Sequence, residues 1–577
     1  MRRILTVLAV FVMICMTSAV NGQGFGKNKV NYTPFKWKYI PTKNFDIYYT
    51  EGGYETALIA SELAEAHFEK LSKHWNYTPR KRIPVLVYNS HNDFSQTNVI
   101  METIEEGVGG FTELFKNRVV IPWEGSLAKF KHVIDHELTH ALYFDLLYGG
   151  VMDSIMGREY LFQLPLWFAE GLAEHESNYY STEADMIVRD GIISGYLPQI
   201  QNTYGGYLVY KGGESFFKFL QEEHGSENKW VAGEVLNSLV QTRNIEKTYK
   251  AIFGKSIEDL SKEWHRKLQA DHWPEVAGRE LADDIAMKLT DHTKERNYLN
   301  IIPTFNPTGD KIAFLTDRSG YKEIRLMRAA DGKLLDTVLK GEKAGDYEEM
   351  HWLRGGLSWS PDGTMIAFAT KAGEKDVIHI TKVEDGGYDK TLKIKMDAVY
   401  SPSWSPDGGK ILFSGIMNGK LDIFTVDVKT EEILRLTDDF FDESTPRWSP
   451  DGTQIVFASD RLDPPYEQRL QSISADYDIF IMNANGEGIR RITTNPFNDS
   501  NPYWSPDGKN IVFTSDRNGI NNLYVIDLDS MAVSPLTNLL TGTSSPAWSP
   551  DGGRIAFTCF KDGGWDIYIL KRPLKRE

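Results

Sequence analysis

The chain has 577 residues, enough for more than one domain with its own core. Hydrophobic residues make up 41% and charged residues 25%, the balance of a folded globular protein and not of a disordered one. The formal net charge is -16 and no Lys/Arg run forms a basic footprint, which excludes nucleic acid as the partner class.

Residues 1–22 read as an export signal. Arg2 and Arg3 precede a short apolar run, Ile4 to Met16, and Thr17 to Gly22 offers small residues for cleavage after Ala19 or Gly22. That run is too short to span a bilayer comfortably, and no other stretch reaches the length required. The expectation is an exported protein, periplasmic or secreted, with no transmembrane segment once the signal is cut. Cys559 is then the single cysteine, so no internal disulfide is available and stability must come from packing and metal.

Residues 23–275 are expected to form an α+β domain. Residues 24 to about 42 carry little signal. Phe45 to Tyr49 and Ile83 to Tyr88 read as strands, separated by a helix with Leu63, Ala64, Phe68, Leu71 and Trp75 on one face. Val108 to Glu113 and Arg118 to Ile121 read as a hairpin turning near Lys116-Asn117. A helix from Leu127 to Leu147 follows, ended by Gly149-Gly150.

That helix carries His136-Glu137-Leu138-Thr139-His140. Residues four apart share a helical face, so His136 and His140 can offer two imidazoles to one cation, with Glu137 beside them to take a proton from a metal-bound water. After a loop containing Arg158 and Tyr160 comes Leu164-Pro165-Leu166-Trp167-Phe168-Ala169-Glu170-Gly171-Leu172-Ala173-Glu174-His175. Glu170 and Glu174 again share a face, set among apolar residues. Glu170 is suited to be a third ligand, and Glu174 to orient a ligating imidazole. His132, Asp135 and His175 read as structural or exposed.

HELTH followed by PLWFAEGLAEH resembles the gluzincin metallopeptidases, specifically the peptidase MA-like group with its W-x-x-E-G-x-A segment. The resemblance extends through GGFTELFKNRVVIP and YLVYKGGESFFKFL, roughly residues 40 to 270. It implies a zincin fold, one Zn2+ held by His136, His140 and Glu170, Glu137 as general base, and a peptide or protein substrate. An edge strand beside such a helix can pair with an extended peptide, and the hairpin is placed to supply it. Helices over Gly213–His224, Lys229–Val240, Ile245–Phe253 and from Ser256 through Leu268 would wall the cleft, with Tyr207 or Tyr210 as candidate oxyanion stabilisers.

From residue 281 the chain repeats. Phe305-Asn306-Pro307-Thr308-Gly309 is followed by five Trp-Ser-Pro-Asp-Gly segments starting at Trp359, Trp404, Trp448, Trp504 and Trp548, with spacings of 54, 45, 44, 56 and 44 residues. Periods of this length with tight turns predict an all-β six-bladed propeller over 281–577. The last repeat lacks its outer strand, and residues 285–290 are expected to supply it and cover the open edge. The repeats resemble the PD40 repeats of TolB-type propellers, which implies a platform for protein partners. Three functions result: an exported zinc metallopeptidase with a propeller for binding, a non-catalytic binding scaffold in which the propeller carries the function, or a metal-dependent hydrolase acting on something other than a peptide bond.

Overall fold

The computed structural model describes residues 34–575 apart from 80, 98–99, 101–103, 105, 115, 150–163, 179, 227–228, 342–348, 374, 385–387, 395, 440 and 462–475. The signal over 1–22 and the loop with Arg158 and Tyr160 lie outside the described residues.

The N-terminal region is built on a five-stranded sheet in the order β1 (Lys38–Pro41), β2 (Phe45–Tyr49), β3 (Ile83–Tyr88), β5 (Arg118–Pro122), β4 (Phe111–Glu113). The β2–β3 and β3–β5 pairs are parallel, and β4 lies antiparallel on β5 as the edge strand. Between β2 and β3 runs α1 (Tyr54–Trp75), whose Ala57, Ala60, Ala64, Phe68, Leu71 and Trp75 are buried at helical spacing. The one-turn α2 (His91–Phe94) follows β3, and α3 (Leu127–Tyr148) follows β5, capped by Ser126. Further on come α4 (Leu166–Asn178), α5 (Thr182–Ile193), α6 (Leu208–His224), α7 (Val231–Thr242), α8 (Ile245–Phe253), α9 (Ile257–Val276) and the short α10 (Ala282–Ile285). One core holds α1 and α3 to α9 against the sheet, with Trp75, Trp167, Phe168, Phe216, Phe217 and Trp264 nearly without exposure.

Four differences from the sequence reading have local causes. Residues 38–41 form a strand because they pair with β2 despite their exposure, a contact that no hydrophobic pattern announces. The edge strand starts at Phe111 and not at Val108, since Gly109 and Gly110 pass too close to Val133 and Ile121 for side chains to alternate there. The helix expected at Gly213 begins five residues earlier, so Tyr210 lies inside it and Tyr207 is its N-cap. The segment over 182–193, not assigned from sequence, is α5, capped by Ser181.

The C-terminal part is a six-bladed β-propeller of antiparallel sheets over 300–340, 349–392, 398–435, 443–491, 499–535 and 543–571, the first five each built from one continuous stretch of chain. The Trp-Ser-Pro-Asp-Gly segments are the turns between the first and second strands of their blades. In Ser405–Lys410, Asp407 accepts from Ser405 Oγ and from the Gly409 N–H, while Gly408 takes φ +75°, so the turn uses its polar groups internally. The innermost strands carry a bulge at Ile302, Ser401, Thr445, Asn501 and Ser545, all at positive φ and each followed by proline. Proline has no N–H for the ladder, so these strands hold it at a bulge on the edge of the sheet, where the ladder is interrupted.

The sixth blade takes its outer strand from far upstream. β6 (Met287–Lys288) pairs antiparallel with Gly564–Lys571, opposite Ile569 and Tyr568. It is shorter than the expected 285–290, because residues 282–285 wind into α10. The N-terminal region sits on one face of the ring. Trp123 Nε1 donates to the Gly419 carbonyl at 2.8 Å, Ser126 Oγ lies 3.3 Å from the Tyr477 hydroxyl, and Asp190 accepts from the Asp562 and Gly563 amides.

Candidate metal centre

The buried helix α3 presents His136 and His140 toward α4, which crosses it. At the crossing His140 Nε2 and His136 Nε2 are 3.1 Å apart, and each is 3.3 Å from Glu170 Oε2. Tetrahedral zinc with bonds of about 2.0–2.1 Å to N and O donors requires donor spacings of roughly 3.3 Å. Two imidazoles and a carboxylate on such a triangle fit that ion, and they leave a fourth position for a reacting group.

The groups behind the triangle fix its orientation. His136 Nδ1 lies 3.1 Å from Glu174 Oε1, which turns Nε2 toward the cluster. Glu174 is in turn held by Lys211 Nζ at 2.7 Å and approached by His132 Nε2 at 3.5 Å. Burial opposes the charge on Glu174, but these partners hold its carboxyl far below the usual carboxylate range. Burial likewise pulls His136 down, yet the Glu170 and Glu174 carboxylates outweigh it and raise its pKa to about 10, a measure of the negative field that a cation would enter. On the other imidazole, His140 Nδ1 meets the Tyr143 hydroxyl at 3.1 Å, and the Phe144 ring stacks on it.

Glu137 faces the edge strand. Thr112 Oγ1 donates to its Oε2 at 2.7 Å, and a Cβ on Gly110 would stand 3.0 Å from its Cγ. The two glycines thus let β4 approach the helix closely. Tyr210 lies across the cluster, its ring stacked 6.3 Å from that of His136. Tyr207 does not share this place. It is 46% exposed, and its phenol bonds Glu183.

His132 belongs to the site's surroundings, touching Glu174. Asp135 is buried beneath the helix and faces His67 Nδ1 at 3.3 Å. His175 is 1% exposed, stacked between Phe217 and Trp230. Three contributors were not singled out from sequence: Thr112, Tyr143 and Lys211. Tyr143 follows His140 by three, a readable signal; Thr112 and Lys211 reach the site from other segments.

The family model described as the TolB beta propeller domain, PD40, matches residues 356–472 and 467–541, within the second to fifth blades. The ring is a TolB-type PD40 propeller domain. The Tol-Pal system protein TolB of Bordetella pertussis is 31% identical over 231 residues, 35% of this chain and 49% of that protein. TolB of Francisella tularensis subsp. tularensis is 33% identical over 150 residues, 25% of this chain and 31% of that one. The chain thus spans half or less of the length of these relatives. Among solved structures, putative TolB from Agrobacterium tumefaciens aligns with 48% of this chain and 90% of its own at 22% identity and a TM-score of 0.35. The tricorn protease aligns with 48% of this chain and 26% of its own at 18% identity and a TM-score of 0.35.

Proposed function

We propose that the N-terminal region is a zinc-dependent peptidase of an exported protein, and that the propeller binds its substrate or a protein partner. The observation that carries the reading is the triangle of His136 Nε2, His140 Nε2 and Glu170 Oε2, whose 3.1–3.3 Å edges match the donor spacing of tetrahedral zinc. When bound there, zinc supplies Lewis-acid polarisation of the scissile carbonyl and lowers the pKa of a water toward neutrality.

The chain's own residues supply the rest. Glu137 accepts the proton of the attacking water and returns it to the leaving amine nitrogen. Thr112, donating to Oε2, leaves the other carboxylate oxygen to do this. The outer edge of β4 offers backbone N–H and C=O groups to an extended peptide, beside the base. Tyr210 stands where a phenol can donate to the oxyanion.

A second reading is favoured by the propeller's family match: a binding scaffold in which the ring carries the function and the N-terminal region does no chemistry. Glu137→Gln separates the two. The peptidase reading expects one zinc per chain in both proteins, chelator-sensitive cleavage of a peptide library by the wild type, and a loss of about 10³-fold or more in the variant. Full zinc loading with no cleavage dependent on Glu137 would rule out the peptidase reading.

A further inference from the structure

A cluster of buried charge that the metal centre does not use joins the second blade to the N-terminal region. Glu106, Glu349 and His351 are each 9% exposed, and Asn92 and Asp376 are 5% and 0% exposed. Glu106 Oε2 accepts the N–H groups of Trp352 at 2.7 Å and Leu353 at 3.3 Å, and the Glu349 carboxylate accepts the Glu106 N–H in return. His351 stands between two carboxylates, Nδ1 at 3.3 Å from Glu106 and Nε2 at 2.9 Å from Asp376. The other oxygen of Asp376 accepts from Asn92 at 2.7 Å. Buried charges persist only when paired and hydrogen-bonded, and here each side of the interface supplies partners for the other.

Both arms of this clamp lead to β4. Glu106 is three residues ahead of the Gly109-Gly110 pair that opens the edge strand beside Glu137. Asn92 lies in α2, whose Phe94 stacks on Phe111 of β4 with ring centroids 5.6 Å apart. The strand itself is only three residues long and pairs on one side, so its own ladder holds it weakly.

We propose that the propeller is part of the peptide-binding cleft: His351 and Glu349, on the second-blade segment, are positioning residues that hold β4 at the distance from Glu137 at which an extended substrate can pair with it. The proposal rests on the peptidase reading, which it deepens by making cleavage of long peptides a property of the whole chain.

The test compares the full-length protein with His351→Ala and, on the other arm, Asn92→Ala. Three quantities are measured: amide hydrogen exchange, zinc content, and cleavage of a peptide long enough to lie along β4. Exchange at Phe111–Glu113 is expected to speed by roughly tenfold or more while β2 and β3 keep their protection. Zinc content stays at the wild-type value, and KM for the long peptide rises by about tenfold with a smaller change in kcat. Unchanged exchange at Phe111–Glu113 in both variants overturns the proposal, whether or not any peptide is cut. An equal rise over Phe45–Tyr49 and Ile83–Tyr88 also overturns it, because the clamp would then support the sheet as a whole. A wild type that cuts no peptide ends the peptidase reading on its own, and the exchange pattern still decides whether the propeller positions β4.

Discussion

Tyr210 is half-buried, and that burial, with the field of Glu170, Glu137 and Glu174, pushes the pKa of its phenol up to about 12. It keeps its proton at neutral pH and can donate it as a hydrogen bond to a developing oxyanion. Tyr210→Phe is therefore expected to lower kcat by about 10²-fold with little change in KM, whereas Tyr207→Phe, whose hydroxyl faces Glu183, should stay within about twofold. Steady-state kinetics on one peptide decides between them. A different residue-scale effect concerns stability. Burial holds His67 and His175 down at about 4, below their ordinary value of 6.5, against the pull of Asp135 and Glu176. Between those pH values the unfolded chain binds protons that the folded chain does not, so stability rises with pH there. It is fully present above about 6.5 and is lost as the pH falls toward 4, by up to about 1 kcal/mol per pH unit for each group. Urea midpoints at pH 7, 6 and 5 should fall accordingly, and His67→Gln should flatten the slope. An unchanged slope in the variant would show that His67 plays no part.

At the scale of elements, the site depends on how closely α4 and α6 cross. A Cβ on Gly171 would stand 2.4 Å from Gly213 Cα, and one on Gly213 would stand 2.3 Å from the Trp167 carbonyl oxygen. Glycine at both positions lets the helices touch backbone to backbone. That contact brings Glu170 and Glu174 against Tyr210 and Lys211. Gly171→Ala is expected to cost about 1–3 kcal/mol in urea unfolding and, on the proposed metal site, to lower zinc content, since Glu170 must move away from His136 and His140. Much of this arrangement was legible in the sequence. The spacing within HELTH and between Glu170 and Glu174 is a property of one helix each, and periodicity alone locates those helices. What joins them is not local. Nothing in Gly213 announces Gly171 as its neighbour, and Thr112 and Lys211 arrive from segments 25 and 37 residues from their partners Glu137 and Glu174. β1 was missed for a related reason: its residues are exposed or half-exposed, so its strand character comes from pairing and not from pattern.

At the scale of the molecule, the ring closes through the same unit that completes three of its other blades. In the third, fourth and fifth blades the outer strand ends in Arg435-Leu436-Thr437, Arg491-Ile492-Thr493 and Pro535-Leu536-Thr537, and the threonine hydroxyl accepts the N–H of Ile423, Ile479 and Leu523 at 2.9 Å. Lys288-Leu289-Thr290 occupies the same register in the sixth blade, where Thr290 accepts from Ile567 at 2.9 Å and donates to the buried Asp566. Lys288 and His292 also pair with Asp566. Thr290→Val and Thr493→Val delete the same bonds, at a cost of about 1–2 kcal/mol each. Their consequences differ because of chain connectivity. The third and fourth strands of the fourth blade are neighbours in sequence, so a loosened Thr493 leaves them tethered by a short turn. β6 and its partner are separated by more than 270 residues, so a loosened Thr290 frees the seam and exposes an unpaired edge. Limited proteolysis is therefore expected to cut between residues 276 and 300 faster in Thr290→Val than in the wild type, and no faster in Thr493→Val despite a similar fall in thermal midpoint. Equal rates in the two variants would mean that the seam is held elsewhere, through the contacts of Arg279 and Glu280 with Asn538.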